Sequence, residues 1–185
     1  AVQEVIAVGE AGGLPAHVSH MQPGAPKHGA TASLLQTIEA ARARGVDLSC
    51  DAIPYTIGST TLKSMLPPWA CAGGDAELMQ RLRDPQVRAR IEADTMQYGA
   101  ESGGSRKRTL IKEGKWDLIW LGSAEKNTQL VGQSFAQIAS VRGQRPHDAL
   151  LDILLEEEGR PWMLAQDVSE EDFANIARHP VGGVI

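Results

Sequence analysis

The chain has 185 residues, 42% of them hydrophobic and 22% charged, with a formal net charge of −5. This composition is that of a globular domain with a hydrophobic core, and the negative charge argues against nucleic-acid binding. No stretch reaches the ~18 apolar residues of a membrane span. The basic residues 106–108 and the acidic residues 156–158 are expected to be solvated. Because the two cysteines, Cys50 and Cys71, cannot form a disulfide framework, we expect a cytoplasmic location.

The first 51 residues alternate between helical and strand-like patterns. We predict helices at residues 1–11 and 30–44, strands at 15–20 and 46–51, and a loop rich in proline and glycine at 21–29. The connections are short, as they are in units of strand, helix and strand. This order predicts a parallel sheet with right-handed crossovers.

Beyond Asp51 the regular alternation ends. Residues 53–61 are expected to form an irregular loop, and Pro67-Pro68-Trp69 breaks the chain. Short helices are predicted to begin at Asp75 and at Asp84-Pro85, where an acidic cap or a proline at the first helical position marks a start.

A longer stretch then leads to one more strand. We predict a strand at 116–122, helices at 131–142 and 146–158, and a last helix capped by Ser169. From the end of the second strand to the strand expected near Val181 the chain runs roughly 130 residues, far more than a connection within an α/β unit needs. This length predicts an inserted, mostly helical subdomain.

The histidine that closes the first predicted strand is the main candidate for chemistry. Barrel and open α/β enzymes bind their ligands at the carboxyl ends of strands, which is where the pattern places His20. His17 lies three residues earlier, and on a strand this spacing sends the two side chains to opposite faces. His20 is therefore the candidate metal ligand, and His17 is expected to be structural. A buried, hydrogen-bonded core histidine is the alternative for His20.

Asp51 closes the second predicted strand. It suits a metal ligand, a general base, a group that orients a ligand, or a structural carboxylate that caps a loop, and the sequence leaves these alternatives open. Strand alternation places Cys50 and Asp51 on opposite faces. Cys50 and Cys71 could also bind a metal, although a buried free cysteine is the commoner state.

The sequence offers part of a metal site and not all of it. A catalytic zinc needs about three protein ligands, and no plausible set of partners for His20 is visible. The chain also has no initiator Met, starts within a helical pattern and stops where a strand begins. We therefore expect an interior piece of a metallo-hydrolase.

Several segments, in the order in which they occur, resemble one enzyme family. They are Val18-Ser19-His20-Met21, the helix Leu34–Arg44, Asp51–Leu62, Leu66–Gly74, Asn127 with Gly132-Gln133-Ser134, Ile138-Ala139, Ser169–Asp172 and His179-Pro180. The chain resembles the N-acyl-D-amino-acid deacylases (D-aminoacylases) of the amidohydrolase superfamily over nearly its whole length.

This resemblance implies a fold and a reaction. The fold class is α/β, with a partial (β/α)8 TIM-like barrel segment, the region of strands six to eight, and an inserted mostly helical subdomain. Residues 1–62 would form barrel βα units, 63–130 the inserted subdomain, and 131–185 a helical return to the last barrel strand. The reaction is hydrolysis of an N-acyl-D-amino acid to a carboxylate and a D-amino acid, with zinc to activate water and polarise the amide carbonyl.

The resemblance also implies roles for individual residues. His20 belongs to the family's Ser-His strand end and is expected to bind zinc. Gln22 stands where the family often has a lysine placed to meet the substrate carboxylate. Ile53 stands where the family usually has a tyrosine that can donate to the amide oxygen, so Tyr55, Ser59 or a backbone group would take over that role. Gln22, Tyr55 and Ser59 are therefore the candidate substrate-binding residues.

The family's other metal ligands and its catalytic aspartate have no counterpart in this sequence. The aspartate is expected just beyond Ile185. We expect the isolated chain to be inactive and to need missing flanking segments of the same barrel, or a self-associating partner. Its substrate is expected to be a small N-acyl amino acid, with no nucleic-acid or membrane partner.

Two other interpretations stay open. Gln22 and Ile53 depart from the family pattern, which favours an amidohydrolase of another amide or dipeptide specificity. A member of a different functional class, a non-catalytic helical binding or oligomerisation module, is the third interpretation.

Overall fold

The computed structural model describes residues 2–24, 27–97 and 107–185. Its helices are α1 (Val2–Gly12), α2 (Thr31–Ala43), α3 (Asp75–Arg83), α4 (Pro85–Gln97), α5 (Arg108–Lys112), α6 (Phe135–Arg142), α7 (Pro146–Glu156) and α8 (Glu170–Ala177). Its strands are β1 (Ala16–Val18), β2 (Leu48–Ala52), β3 (Ile57–Thr61), β4 (Ile119–Ser123), β5 (Trp162–Gln166) and β6 (Gly182–Val184). Short 3-10 segments lie at Leu62–Met65, Pro68–Cys71, Trp116–Leu118 and Thr128–Leu130.

The chain divides into two compact units. One consists of Ala1–Thr56 and Val168–Ile185, and the other of Ile57–Asp167. These boundaries differ from the predicted division at residues 62 and 130. The reason is that β3 pairs with β5 and β5 with β4, so the hydrogen-bonded ladder joins residues 57–61 to residues 162–166 within one unit.

The first unit is built on a parallel sheet with the strand order β1-β2-β6. The predicted parallel pairing of the first two strands is confirmed. The first strand is shorter than expected, because it ends at Val18 and the next two residues form a turn. The helices of this unit are α1, α2 and α8.

The hydrophobic core of this unit lies between the helices and one face of the sheet. Leu48, Cys50 and Ala52 of β2 are buried there with Ile38 of α2 and Ile176 of α8. Full burial of a large aliphatic side chain stabilises the fold by about 1.5–3 kcal/mol. Because side chains alternate along a strand, the intervening residues of β2 lie on the opposite face of the sheet, and those residues are polar.

The last strand needs a glycine where it begins. At Gly182 a side-chain carbon would overlap the carbonyl oxygen of Ile176 on α8. Absence of a side chain therefore allows β6 to pass close to the end of that helix and to pair with Cys50 of β2.

The second unit is centred on an antiparallel sheet with the strand order β3-β5-β4. Part of the predicted irregular loop at residues 53–61 is therefore a strand, and β5 has no counterpart among the predicted elements. The antiparallel ladder runs from Ile57 against Gln166 to Thr61 against Trp162, so these polar and glycine-containing residues gain their strand conformation from a distant partner.

Of the two predicted polar caps, Ser169 caps α8, whereas α3 begins at Asp75 with Gly74 at its N-cap position and no side-chain capping bond. Ser169 Oγ accepts a hydrogen bond from the Asp172 amide at the start of α8. Ser134 and Gln137 form a reciprocal capping box at the start of α6. Pro146 occupies the first turn of α7, where its missing N–H has no cost.

Two charged clusters predicted to be solvated contain buried residues. Lys107 and Arg108 are 9% and 2% exposed, and the Lys107 ammonium lies 2.8 Å from Asp167; Arg106 lies outside the described residues. Glu157 is 1% exposed and accepts hydrogen bonds from the backbone amides of residues 125–127. The prediction was wrong for Lys107, Arg108 and Glu157, while Glu156 and Glu158 are exposed as expected. Lys107 and Glu157 are buried because each has a partner that is distant in sequence.

In the part of the chain that the structure describes, no helix combines the length and the apolar character that crossing a bilayer requires.

Candidate functional site

A row of polar side chains lies on the face of the parallel sheet opposite the hydrophobic core. The register sets His17 of β1 beside Ser49 of β2, and Asp51 lies two residues further along the same face. His17 Nδ1 is 2.7 Å from Ser49 Oγ, and His17 Nε2 is 2.7 Å from Asp51 Oδ2. The row runs toward the carboxyl ends of the strands, where parallel α/β folds bind their ligands.

Asp51 is the centre of this polar row. Its carboxylate accepts hydrogen bonds from His17, from the Ser19 hydroxyl at 3.2 Å and from the His20 backbone amide at 2.6 Å. Its own carbonyl oxygen accepts the Met21 amide at 2.8 Å. Asp51 therefore ties the turn after β1 to the end of β2, and of the roles that the sequence left open this contact pattern supports an orienting or loop-capping carboxylate.

Burial and hydrogen bonding act in opposite directions on the Asp51 carboxyl group. Burial raises its pKa, while the hydrogen bonds from His17, the His20 amide and Ser19 lower it, and the net effect is a pKa below the usual range. The group is therefore an anion, which can only accept hydrogen bonds. Consequently His17 Nε2 carries the proton of this contact, and in the neutral ring Nδ1 accepts from the Ser49 hydroxyl.

His20 follows the strand in a turn and has a left-handed backbone. Its φ angle is 54°, in the region that favours glycine, and its side chain is exposed. A residue other than glycine in such a conformation costs on the order of 1–3 kcal/mol, and such residues cluster at functional sites. A hydrogen bond to a charged group contributes about 1.5–3 kcal/mol, so the Asp51 contact to the His20 amide is large enough to hold this conformation.

Strand alternation does not separate His17 from His20 as predicted, because β1 ends at Val18 and does not include His20. The left-handed turn, and not strand alternation, sets the direction of the His20 side chain. His17 is also more than a structural residue of the core, because its half-exposed ring contacts the carboxylate that binds the His20 amide.

Gln22 is buried and bonded to the loop that follows β2. Its Nε2 donates to the Ile53 carbonyl oxygen at 2.7 Å, and the Ile53 amide donates to Gln22 Oε1 at 3.1 Å. The amide of Gln22 thus forms a reciprocal pair with one residue's backbone. This contact joins the two loops at the carboxyl ends of β1 and β2.

The two other candidate substrate-binding residues lie in different units. Tyr55 is 68% exposed and follows β2 within the first unit. Ser59 is exposed on β3 in the second unit, where it pairs with Leu164 of β5. Hydrogen bonds within the first unit thus connect the loops that contain His20, Gln22 and Asp51. Ser59 belongs to the antiparallel sheet of the second unit.

A second buried carboxylate fixes the loop that leads into α2. Asp172 is fully buried on α8 and accepts hydrogen bonds from the Gly29 amide at 2.9 Å, from Ser169 Oγ and from Thr31 Oγ. Burial raises its pKa, but these hydrogen bonds outweigh burial and lower it overall. The only sequence signal for this residue was its position three residues after the Ser169 cap, which does not predict a contact with Gly29.

The described residues supply one candidate zinc ligand and no complete site. No group of three or more His, Cys, Asp or Glu side chains within the described ranges is arranged to hold a metal ion. Cys50 is buried on the core face and Cys71 belongs to the second unit. The exposed imidazole of His20 fits a single ligand position, since imidazole is a common zinc ligand, and no catalytic step through zinc follows from these residues alone.

Comparison with known proteins finds similarity in structure but not in sequence. No protein-family model and no curated protein sequence matches the chain. A solved N-acyl-D-glutamate deacylase from Bordetella bronchiseptica, complexed with zinc and a phosphonate mimic of the tetrahedral intermediate, matches 100% of this chain and 28% of its own length, at 20% identity and a TM-score of 0.62.

Structures of D-aminoacylase match as well. One, concerned with the binuclear metal centre, matches 99% of this chain and 28% of its own length at 20% identity and a TM-score of 0.58. Another, which defines a subset of amidohydrolases, matches with a TM-score of 0.56 at the same identity and coverage. The chain therefore spans 28% of the length of these enzymes, and along that length its fold resembles that of the D-aminoacylases.

Proposed function

We propose that this chain is the central segment of a zinc-dependent amidohydrolase that hydrolyses N-acyl-D-amino acids to a carboxylate and a D-amino acid. The observation that supports this most is the joined set of His20, Asp51 and Gln22 at the carboxyl ends of two parallel strands. Its neighbours in fold include a deacylase with a bound mimic of a tetrahedral intermediate. In the reaction the amide C–N bond breaks, the acyl carbon gains the oxygen of water and the nitrogen gains a proton.

The parallel sheet is proposed as part of a (β/α)8 barrel in the region of strands six to eight. In such a barrel the helices cover the outer face of each strand, and active-site residues lie at the carboxyl ends. The sheet β1-β2-β6 has a core under its helices on one face and His17, Ser49 and Asp51 on the other. Flanking barrel segments, or a second copy of the chain, would supply the further strands.

His20 is proposed as one zinc ligand. Its ring is exposed at a strand end, and its backbone is held by a buried carboxylate. Zinc, when bound, supplies activation of water and polarisation of the amide carbonyl. Because zinc needs about three protein ligands, flanking segments of the same barrel or a self-associating partner would provide the others, and we expect the isolated chain to bind zinc weakly and to be inactive.

Three residues are proposed to contact the substrate. The exposed Tyr55 hydroxyl is suited to donate to the amide oxygen, as an oxyanion-hole donor does. Ser59, which lies on β3 in the second unit, is proposed as a candidate from the family resemblance alone. Gln22 is the third proposed substrate-binding residue, and since its amide bonds the Ile53 backbone, it would act by fixing that loop.

A specific observation favours a second candidate function, an amidohydrolase of another amide or dipeptide specificity. Gln22 is uncharged and its side-chain amide is engaged by Ile53. A free substrate carboxylate is recognised most strongly by a cation, and position 22 provides none. The substrate of this alternative would have no free carboxylate at that position.

A substrate panel tests the proposal. The complete enzyme that contains this chain would be loaded with zinc and assayed for amine release from N-acetyl-D-amino acids, their L-enantiomers, D-dipeptides and neutral amides. We expect release from the N-acetyl-D-amino acids, abolished by a chelator and restored by zinc. Faster hydrolysis of neutral amides would favour the alternative specificity, and activity unaffected by metal removal would contradict both.

A further inference from the structure

We propose that Asp51 and His17 act as a positioning pair that fixes the backbone of His20 and so sets the direction of its imidazole. The sequence singled out His20 and Asp51 separately, and the structure connects His20 to Asp51 and, through Asp51, to His17. The geometric part of this inference is independent of any metal. Its consequence for zinc binding rests on the proposed function.

The Ser19 hydroxyl contacts both oxygens of the Asp51 carboxylate, at 3.3 and 3.2 Å, but each oxygen also has a partner of its own. Oδ1 accepts the His20 backbone amide at 2.6 Å, and Oδ2 accepts His17 Nε2 at 2.7 Å. Both distances are short, as is typical when the acceptor is charged. The Asp51 carboxylate therefore connects the His17 ring to the backbone of His20, the residue proposed to bind zinc.

The backbone at His20 needs such a constraint. Its φ of 54° is one of two positive values among the described residues other than glycine. Two backbone hydrogen bonds close the turn. The backbone N–H of Gln22 donates to the His20 carbonyl oxygen at 2.7 Å, and the backbone N–H of Met21 donates to the Asp51 carbonyl oxygen at 2.8 Å. Without the bond from its own amide to Asp51, His20 would relax toward the commoner negative φ and its side chain would turn.

His17 holds the carboxylate in the orientation that this bond requires. The ring is itself oriented at its other nitrogen by Ser49 Oγ, 2.7 Å away on the neighbouring strand. The register of His17 against Ser49 puts this ring on the same face as Asp51. The order of contacts is thus Ser49 to His17, His17 to Asp51, and Asp51 to the His20 amide.

The proposed role of His17 in positioning His20 can be separated from a contribution of His17 to the stability of the fold. The His17 ring is 46% exposed and lies on the face away from the hydrophobic core, so its removal should leave the core intact. His179 offers a control, because its side chain contacts other parts of the same unit: its Nε2 lies 3.0 Å from the Glu39 carboxylate and its Nδ1 accepts from the Val181 amide. Substitution there removes a comparable histidine–carboxylate pair.

The test compares His17→Leu, Asp51→Asn and His179→Leu in the 185-residue chain by NMR of uniformly labelled protein. We expect the first two variants to shift the His20 backbone signals away from a left-handed conformation while signals of the core residues stay in place. The His179→Leu variant should leave His20 unchanged. His17→Gln keeps an N–H donor for Asp51, so its His20 backbone signals should lie closer to those of the parent chain than the signals of His17→Leu do.

Zinc titration followed at the His20 ring adds a second readout. Loss of a group that orients a metal-binding histidine typically weakens metal affinity by about 10- to 100-fold, and we expect a loss of this size for His17→Leu. Unchanged His20 backbone signals in both His17→Leu and Asp51→Asn would overturn the proposal. If zinc does not perturb His20 in the parent chain while the variants still alter its backbone, the positioning pair is supported and the zinc assignment fails.

Discussion

Gln22 and the backbone of Ile53 are joined by two hydrogen bonds, one in each direction, of 2.7 and 3.1 Å. The pair mimics the way in which two strands exchange backbone hydrogen bonds, although one partner is a side chain. It links the turn after β1 to the loop that carries Tyr55. Loop geometry at the candidate site therefore depends on a residue that is itself buried.

Replacement of Gln22 by Leu should destabilise the first unit. The change leaves the Ile53 N–H and carbonyl groups without their partner, and an unsatisfied buried polar group costs about 1–3 kcal/mol. Urea unfolding measures the loss. Gln133→Leu is the control, since the half-buried Gln133 side chain makes an exposed bond to the Gln129 carbonyl oxygen and its loss should cost clearly less. Equal stability of the two variants would mean that the contact with Ile53 contributes nothing.

His147 is predicted to make the fold sensitive to mild acid. The residue is 5% exposed, and its Nδ1 atom is buried with no hydrogen-bond partner. Its ring meets Trp116 edge to face, with centroids 6.3 Å apart. Burial has the largest effect on the pKa of His147 and lowers it. The negative charges of Glu92 and Asp148 raise this pKa, and the positive charges of Arg145 and Arg88 lower it further.

The sign of the pH effect follows from this shift. Below pH ~6.5 the unfolded chain binds a proton at this histidine, while the folded protein, with its lowered pKa, binds it only at lower pH. The free energy of unfolding therefore falls as the pH decreases from ~6.5 to the folded pKa.

A His147→Leu variant should lose this part of the pH dependence and be nearly as stable as the parent at pH 8, because the buried Nδ1 atom has no partner to lose. Thermal unfolding from pH 8 to pH 5 measures both. His179→Leu, which changes a histidine paired at the surface with Glu39, should keep the acid slope assigned to His147. An unaltered slope in His147→Leu would show that other groups cause it.

Glu157 is predicted to give a second acid dependence, at lower pH. Burial raises its pKa, but hydrogen bonds from the Glu125 backbone, from the Asn127 side chain and backbone, and from the Lys126 backbone outweigh burial and lower it overall. A carboxylate with a lowered folded pKa adds stability above its ordinary pKa, and this stability is lost as the pH falls through the folded value.

Glu157→Gln should therefore lower the free energy of unfolding at pH 7 by about 1.5–3 kcal/mol, the usual contribution of hydrogen bonds to a charged group, and by less at pH 3. The neighbouring Glu158→Gln is the control, because Glu158 is exposed and pairs with Lys126 and Arg160 at the surface. If both variants lose the same stability at pH 7, the buried contacts of Glu157 are not the cause.

The elements that the sequence predicted well are those whose signals are local. Ser169 caps α8 through a bond to a residue three positions away, and Pro146 begins α7 because its fixed backbone suits the first turn of a helix. By contrast, β3 is polar and β5 is a nearly continuous apolar run, Trp162-Met163-Leu164-Ala165, without the alternation that marks a half-buried strand. These strands form because they pair across a hundred residues, which no local pattern contains.

The same distinction holds at the candidate site. His20 and Asp51 could be singled out because each closes a predicted strand. Their connection could not, because it depends on β1 ending two residues early and on the left-handed turn at His20. The burial of Lys107 and Glu157 was missed for a similar reason, since a charged residue is predicted to be solvated unless its partner is known.

Metal content and turnover of a His20→Ala variant of the complete enzyme test whether His20 binds the zinc. The purified parent and variant would be analysed for bound zinc and for hydrolysis of N-acetyl-D-amino acids, with His179→Ala as the matched histidine control. We expect His20→Ala to lose zinc and activity together and His179→Ala to keep both. A His20→Ala enzyme that retains its full zinc content and turnover would show that His20 is not a zinc ligand.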